Sequence, residues 1–229
     1  MGLATATPSA GRSGAPLPLV ALTRAGLILV ALATLLVFPA VNAMEDLQLE
    51  RAELADGESY RLLTCHFAHW TWDHLAYDLF AFVLLGWLCL ERGIVRTLGA
   101  LSTAALVIPV AFMAWHPELE VYRGLSGLDA ALFALLAGSI LREGIDERLP
   151  RRVWLGGAAL AGFAAKIAFE LATGSAFFAT SDVFVPIPIA HVAGAVCGVA
   201  AAFWRRAPEA ISRPSSTPSA SPPSASTGA

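Results

Sequence analysis

Two side chains with complementary chemistry stand at the openings of two apolar runs. Ser126 lies in YRGLSGLDAALFALLAG, residues 122–138, and His191 lies in PIPIAHVAGAVCG, residues 186–198. A serine hydroxyl becomes a nucleophile when a base within hydrogen-bond reach takes its proton, and histidine is suited to that work. A third stretch, HFAHWTWDHLAYDLF, residues 66–80, adds His66, His69, His74 and Asp78. Other chemistry is open to the same residue types. A serine at the start of a helix is a good N-cap. Three histidines and an aspartate are metal-ligand types, but their spacing matches no zinc motif and leaves Ser126 without a role. No metal and no cofactor is therefore expected.

These residues must be carried by membrane helices. Of 229 residues, 56% are hydrophobic and 14% charged, against about a quarter charged in soluble domains. Six apolar runs approach the roughly 20 residues that span hydrocarbon: about 21–43, 74–90, 94–115, 126–142, 153–172 and 187–204. The fold class expected is an all-α membrane protein, a bundle of six transmembrane helices. The first run is long and no small-residue cleavage site follows it, so it reads as a retained helix rather than a signal peptide. Of 15 basic residues, Arg51, Arg61 and Arg123 fall on one side, Lys166 falls within the fifth run, and the rest fall on the other. The positive-inside rule then places both termini in the cytoplasm. The net charge of −3 comes with no basic patch interleaved with aromatics, so no nucleic-acid partner is expected.

With that topology, runs two, four and six all start at the outer face. Ser126, His191 and the His74–Asp78 group then share one depth. Ionisable groups inside a span are costly and point to function. Ser126, Ala130, Ala134 and Gly138 recur every four residues, and His191, Gly194 and Gly198 share a face. Stripes of small residues let membrane helices approach closely. If the two stripes face each other, Ser126 meets His191 near the outer end. His66, His69 and Trp70 would line a path for water, with His69 reading rather as a structural hydrogen-bonder. Asp129 is either a partner behind Ser126 or faces another helix. Lys166 and Glu170, four apart, are expected to pair. Cys65, Cys89 and Cys197 are odd in number and differ in depth, which argues against a disulfide framework. Domain boundaries follow: a mobile cytoplasmic N-terminus over 1–18, the membrane domain over 19–206, and a disordered Pro/Ser-rich tail over 207–229.

The motifs, in their order, resemble the rhomboid family of intramembrane serine proteases. GLSG (Gly124 to Gly127) resembles the family's nucleophile motif. The spacing of His191, Gly194 and Gly198 is similar to its histidine–glycine–glycine pattern. HWTWDHLAYD resembles its histidine-rich second helix, and ERG (Glu91 to Gly93) a further signature. The small size looks closest to the rhombosortase branch, whose members are taken to cleave C-terminal transmembrane sorting tails. The resemblance implies an intramembrane serine endopeptidase with Ser126 and His191 as a catalytic dyad, no third acid being required. It implies oxyanion support from the Ser126 N–H, His74, Asp78 and Gly124, and helix packing through Gly127, Gly194 and Gly198. The expected partners are membrane proteins with a C-terminal transmembrane segment and the lipid bilayer, with the site near the periplasmic face of a bacterial inner membrane. One position departs from the family. Asp78 stands where an asparagine is expected, and an ionised carboxylate would repel an oxyanion. Asp78 either donates as a neutral acid or turns to His74, one helical turn away. The departure also leaves open a catalytically inactive rhomboid-like protein that binds transmembrane clients.

Overall fold

The computed structural model describes residues 17–38, 41–174 and 187–204. The predicted tail 207–229 lies outside these residues, as does the predicted N-terminus 1–18 up to the start of the first helix. The elements, in order, are α1 (Leu17–Val37), α2 (Val41–Leu47), β1 (Leu49–Glu50), α3 (Arg51–Ala55), α4 (Arg61–Thr64), α5 (Trp72–Arg92), α6 (Ile94–Trp115), β2 (Val121–Tyr122), α7 (Ser126–Asp146), α8 (Pro150–Thr173) and α9 (Pro188–Phe203).

The predicted first run, 21–43, is divided. α1 ends at Val37, and α2 restarts at Val41. Phe38, the residue before a proline in the sequence, is already out of the helix, as a position preceding proline is pushed away from helical geometry. The other five runs match α5 to α9 to within a few residues. Their ends follow from local chemistry. Thr71 caps α5, its hydroxyl accepting the His74 N–H at 3.3 Å. Pro150 and Pro188 open α8 and α9 at the first turn, where a missing N–H costs no hydrogen bond. Gly174 closes α8 with φ +66, a left-handed conformation that glycine adopts freely.

Among the described residues four helices, namely α1 over Leu19–Leu36, α5, α6 and α8, are long and apolar enough to cross a membrane. α9 has only 16 residues. α7 has 21, but Asp129, Arg142 and Glu143 dilute its apolar character. The difference from six expected runs has a packing cause. α7 is surrounded by α5, α6, α8 and α9, and over half of its residues are buried. An enclosed helix need not be uniformly apolar. The outward faces are apolar instead: Leu36 on α1, Phe80 on α5 and Trp154 on α8 are all at least two-thirds exposed. All six tryptophans are exposed, mostly near helix ends, as interfacial aromatics are.

Between α1 and α5 the chain forms a small layer of its own. β1 pairs antiparallel with β2, Leu49 opposite Tyr122 and Glu50 opposite Val121. The three arginines assigned to the outer side hold this layer. Buried Arg61 donates to the Glu45 and Gln48 carbonyls at 2.6 and 3.0 Å and to Glu58 at 2.6 Å. Arg51 donates to the Leu119 and His116 carbonyls at 2.7 and 2.6 Å. Arg123 donates to Gln48 at 2.6 Å and stacks on Trp70. At the opposite end the ERG residues tie helices together. Glu91 receives Arg24 of α1 at 2.8 Å, and Arg92 reaches Glu143 of α7 at 2.7 Å. Cys65, Cys89 and Cys197 are buried free thiols. Burial pushes the Cys65 thiol, in the outer layer, up to about 12, so it stays protonated and inert.

Candidate active site

α7 and α9 meet backbone to backbone. A Cβ on Gly194 would collide with the Gly127 carbonyl oxygen, and one on Gly198 with the Ala131 carbonyl oxygen. Further along, a Cβ on Gly138 would lie 2.8 Å from that of Ala202. The α9 stripe is thus the one expected from sequence. The α7 stripe is displaced by one residue, running through Gly127, Ala131 and Leu135 rather than Ser126, Ala130 and Ala134. The cause lies in composition: Gly127, Ala130, Ala131, Ala134 and Ala137 put small residues on more than one face of α7, so more than one stripe competes. The close approach still brings the start of α7 beside the start of α9. The Cβ position of Gly127 is 3.2 Å from the Ala190 carbonyl oxygen, so Ser126 and His191 each adjoin this contact.

Ser126 is the first residue of α7, and Leu125, with φ −77 and ψ −17, occupies the cap position without a side-chain cap. The capping role therefore does not fall to the Ser126 hydroxyl. Among the described residues no hydrogen bond joins Ser126 to His191; such contacts are often long in an enzyme without substrate. Gly124 holds the approach to Ser126. Its φ is +124, a region glycine enters without a side-chain clash. Its N–H donates to the Cys65 carbonyl at 3.0 Å, and its carbonyl accepts the Tyr122 hydroxyl at 3.3 Å. A Cβ there would lie 3.2 Å from His74 Cε1 and 3.7 Å from Asp78 Oδ2. The absence of a side chain lets the α5 histidine lie against the segment leading to Ser126.

Asp78 is turned to its histidines. Its Oδ2 lies 3.3 Å from both His74 Nε2 and His69 Nε2. His69 also contacts the Phe67 carbonyl through Nδ1 at 3.2 Å. His69 and His66 are each 1% exposed; His66 therefore does not line a path for water, contrary to the sequence expectation, while buried, hydrogen-bonded His69 fits the structural role favoured for it. Of the three, Trp70 is the exposed one, at 36%. His66 is a strut: its Nε2–H donates to the Ala105 carbonyl of α6 at 3.0 Å. Burial pulls its ionisation below the usual histidine range. Asp129 is buried one turn into α7. No three His, Cys, Asp or Glu side chains among the described residues form a group able to hold a metal ion.

The base side of the site holds a residue that sequence reasoning assigned elsewhere. Lys166 and Glu170 pair as expected, at 2.8 Å. The same carboxylate oxygen, Glu170 Oε2, also lies 3.0 Å from His191 Nδ1. Lys166 Nζ is 3.2 Å from that nitrogen. His191 Nε2 has no hydrogen bond among the described residues. An i,i+4 pair on one helix looks self-sufficient in a sequence; the contact to α9 depends on helix rotation, for which the sequence holds no signal.

The arrangement is a serine at a helix start, a histidine on the adjoining helix, and a second histidine against the turn before the serine. Residues 56–208, well over half of the chain, match the Rhomboid domain family. The chain belongs to the rhomboid family of intramembrane proteases. No curated protein matches it.

Proposed function

We propose that the chain is an active intramembrane serine endopeptidase in which Ser126 is the nucleophile and His191 its base. The observation that carries this reading is the glycine contact between α7 and α9. It joins Gly127 and Ala190, the sequence neighbours of Ser126 and His191, and among the described residues His191 makes its hydrogen bonds through Nδ1. Ser126 Oγ attacks the scissile carbonyl while His191 Nε2 takes the hydroxyl proton. The C–N bond breaks as that proton passes to the leaving amine. Water, deprotonated by the same nitrogen, then releases the acyl group. The Ser126 N–H, at a helix start with unpaired donors and a favourable dipole, and His74 hold the oxyanion. Asp78 fixes His74 through the 3.3 Å contact rather than touching the oxyanion itself.

In this reading α7 and α9 join the four longer helices as six spans. Both termini are cytoplasmic, and the site opens near the outer face of a bacterial inner membrane. The small domain favours a rhombosortase-like role, with substrates that carry a C-terminal small-residue motif, one transmembrane helix and a basic end. Co-expression of such a reporter with wild type, Ser126→Ala and His191→Ala tests it. Tail release by wild type alone is expected. Release that survives Ser126→Ala overturns the mechanism. Asp78 favours one competing reading, an inactive protein that binds transmembrane clients. In that case Ser126→Ala would still co-purify with the reporter, and no variant would cleave it.

A further inference from the structure

We propose that Glu170 is a positioning residue for His191, so that the base is oriented by a carboxylate from a third helix instead of acting as an isolated imidazole. The inference rests on the reading of Ser126 and His191 given above. Its observation is the triangle formed by Glu170 Oε2, His191 Nδ1 and Lys166 Nζ, with sides of 2.8, 3.0 and 3.2 Å.

The triangle sets up a choice of tautomer. A lysine ammonium only donates, and a carboxylate only accepts. If His191 carries its proton on Nδ1, it donates to Glu170, and Nε2 keeps a lone pair for the serine proton. If Nδ1 is bare, it accepts from Lys166, the proton sits on Nε2, and the ring is useless as a base. The tautomer of a histidine is set by the bond its other nitrogen makes. Glu170 selects the useful form in two ways. It accepts the Nδ1 proton in a charge-assisted bond. It also engages Lys166 at the shortest side of the triangle, which draws that donor away from the ring.

Glu170 is 2% exposed and Lys166 half-buried, so little water competes for either. The negative charge beside Nδ1 also stabilises the imidazolium formed when the serine is deprotonated. On the other flank stand His74, with Asp78 and His69 behind it, and Asp129 one turn into α7. α6 carries no titratable side chain between Arg96 and its end. The nearest carboxylate hydrogen-bonded to His191 is therefore Glu170. Helix α8 becomes part of the catalytic apparatus, and its rotation relative to α9 decides whether the base works.

The test uses the full chain in liposomes with a fluorophosphonate probe, whose phosphorus the serine attacks with loss of fluoride and help from the same base, together with ¹⁵N-histidine spectra. In wild type the His191 signal, identified by its loss in His191→Ala, should show a protonated Nδ1 and a bare Nε2. A proton on Nε2 would overturn the proposal without any Glu170 variant having to fold. Glu170→Gln should label Ser126 more slowly by up to about 10⁴-fold, the loss seen when the orienting acid of a serine–histidine pair is replaced by its amide. Adding Lys166→Met should restore at least part of the rate, because the competing donor to Nδ1 is gone. A purely structural Lys–Glu pair gives no such rescue, so a double variant as slow as Glu170→Gln overturns the proposal. So does wild-type labelling in Glu170→Gln. Labelling that persists in Ser126→Ala would instead remove the underlying assignment of the nucleophile, a result separate from all of these.

Discussion

Replacing Gly194 by alanine should damage both stability and turnover, because nothing at that point can move aside. The added Cβ would collide with the Gly127 carbonyl oxygen, with the Gly127 carbonyl carbon at 3.0 Å and the Ala131 nitrogen at 3.2 Å. All three atoms are backbone of α7, so no side chain can swing away and the helices must part by roughly an ångström to reach ordinary van der Waals separation. Overpacking of this kind typically costs about 1–3 kcal/mol. The displacement also acts on the chemistry. Gly194 lies less than one turn from His191, so the base moves with it, and a misplacement of about 1 Å can cost about 10²-fold in rate. Gly157 supplies the control, since a Cβ there meets nothing within 4 Å. Gly157→Ala should leave turnover unchanged and gain up to about 1 kcal/mol of helix propensity. Thermal unfolding in micelles and the rate of serine labelling measure the two effects. Equal behaviour of Gly194→Ala and Gly157→Ala, or a Gly194→Ala protein with wild-type melting and rate, would refute the argument that the α7–α9 contact sets the site.

His74→Ala should lower turnover by about 10²–10³-fold, the usual loss for one oxyanion donor, with little change in the apparent affinity for a reporter substrate; Asp78→Leu should reproduce part of that loss by freeing the His74 ring, read in the same assay. His66 predicts an acid sensitivity. Burial holds its ionisation below the ordinary histidine range, so as pH falls below about 6.5 the unfolded chain takes up a proton that the folded chain refuses. That contribution to stability is present above pH 6.5 and is lost on acidification towards the lower, folded-state value. His66→Phe should flatten the fall in melting temperature between about pH 7 and pH 5, while losing about 1 kcal/mol at neutral pH with the Ala105 hydrogen bond; an unchanged slope would remove His66 as the cause.

Much of the architecture was legible because membrane helices announce themselves by length and apolar content. α6 runs over the expected residues 94–115, and α5, α7, α8 and α9 differ from expectation only at their ends. The depth argument that linked Ser126, His191 and His74 needed only the order of the runs and their alternating direction. Rotation was less legible. On α7 the alanines at 130, 131, 134 and 137 make several faces equally small, so the stripe that meets α9 could not be chosen by composition. The outer layer was missed because α2, α3 and α4 are short and of mixed polarity, and what holds them is Arg51 and Arg61 bonding to carbonyls far along the chain. His66 looked like part of a polar mouth because its burial and its bond to the Ala105 carbonyl of α6 cannot be read from a local pattern. Glu170 had a satisfying partner four residues away, which concealed its second one on α9.

The most direct measurement is the site of covalent attachment of a fluorophosphonate to the purified, membrane-reconstituted chain, read by mass spectrometry of peptides. The account predicts one adduct, on Ser126, absent from Ser126→Ala and at least strongly reduced in His191→Ala. An adduct on another residue, or a folded protein whose Ser126 stays unmodified at saturating probe, would contradict it.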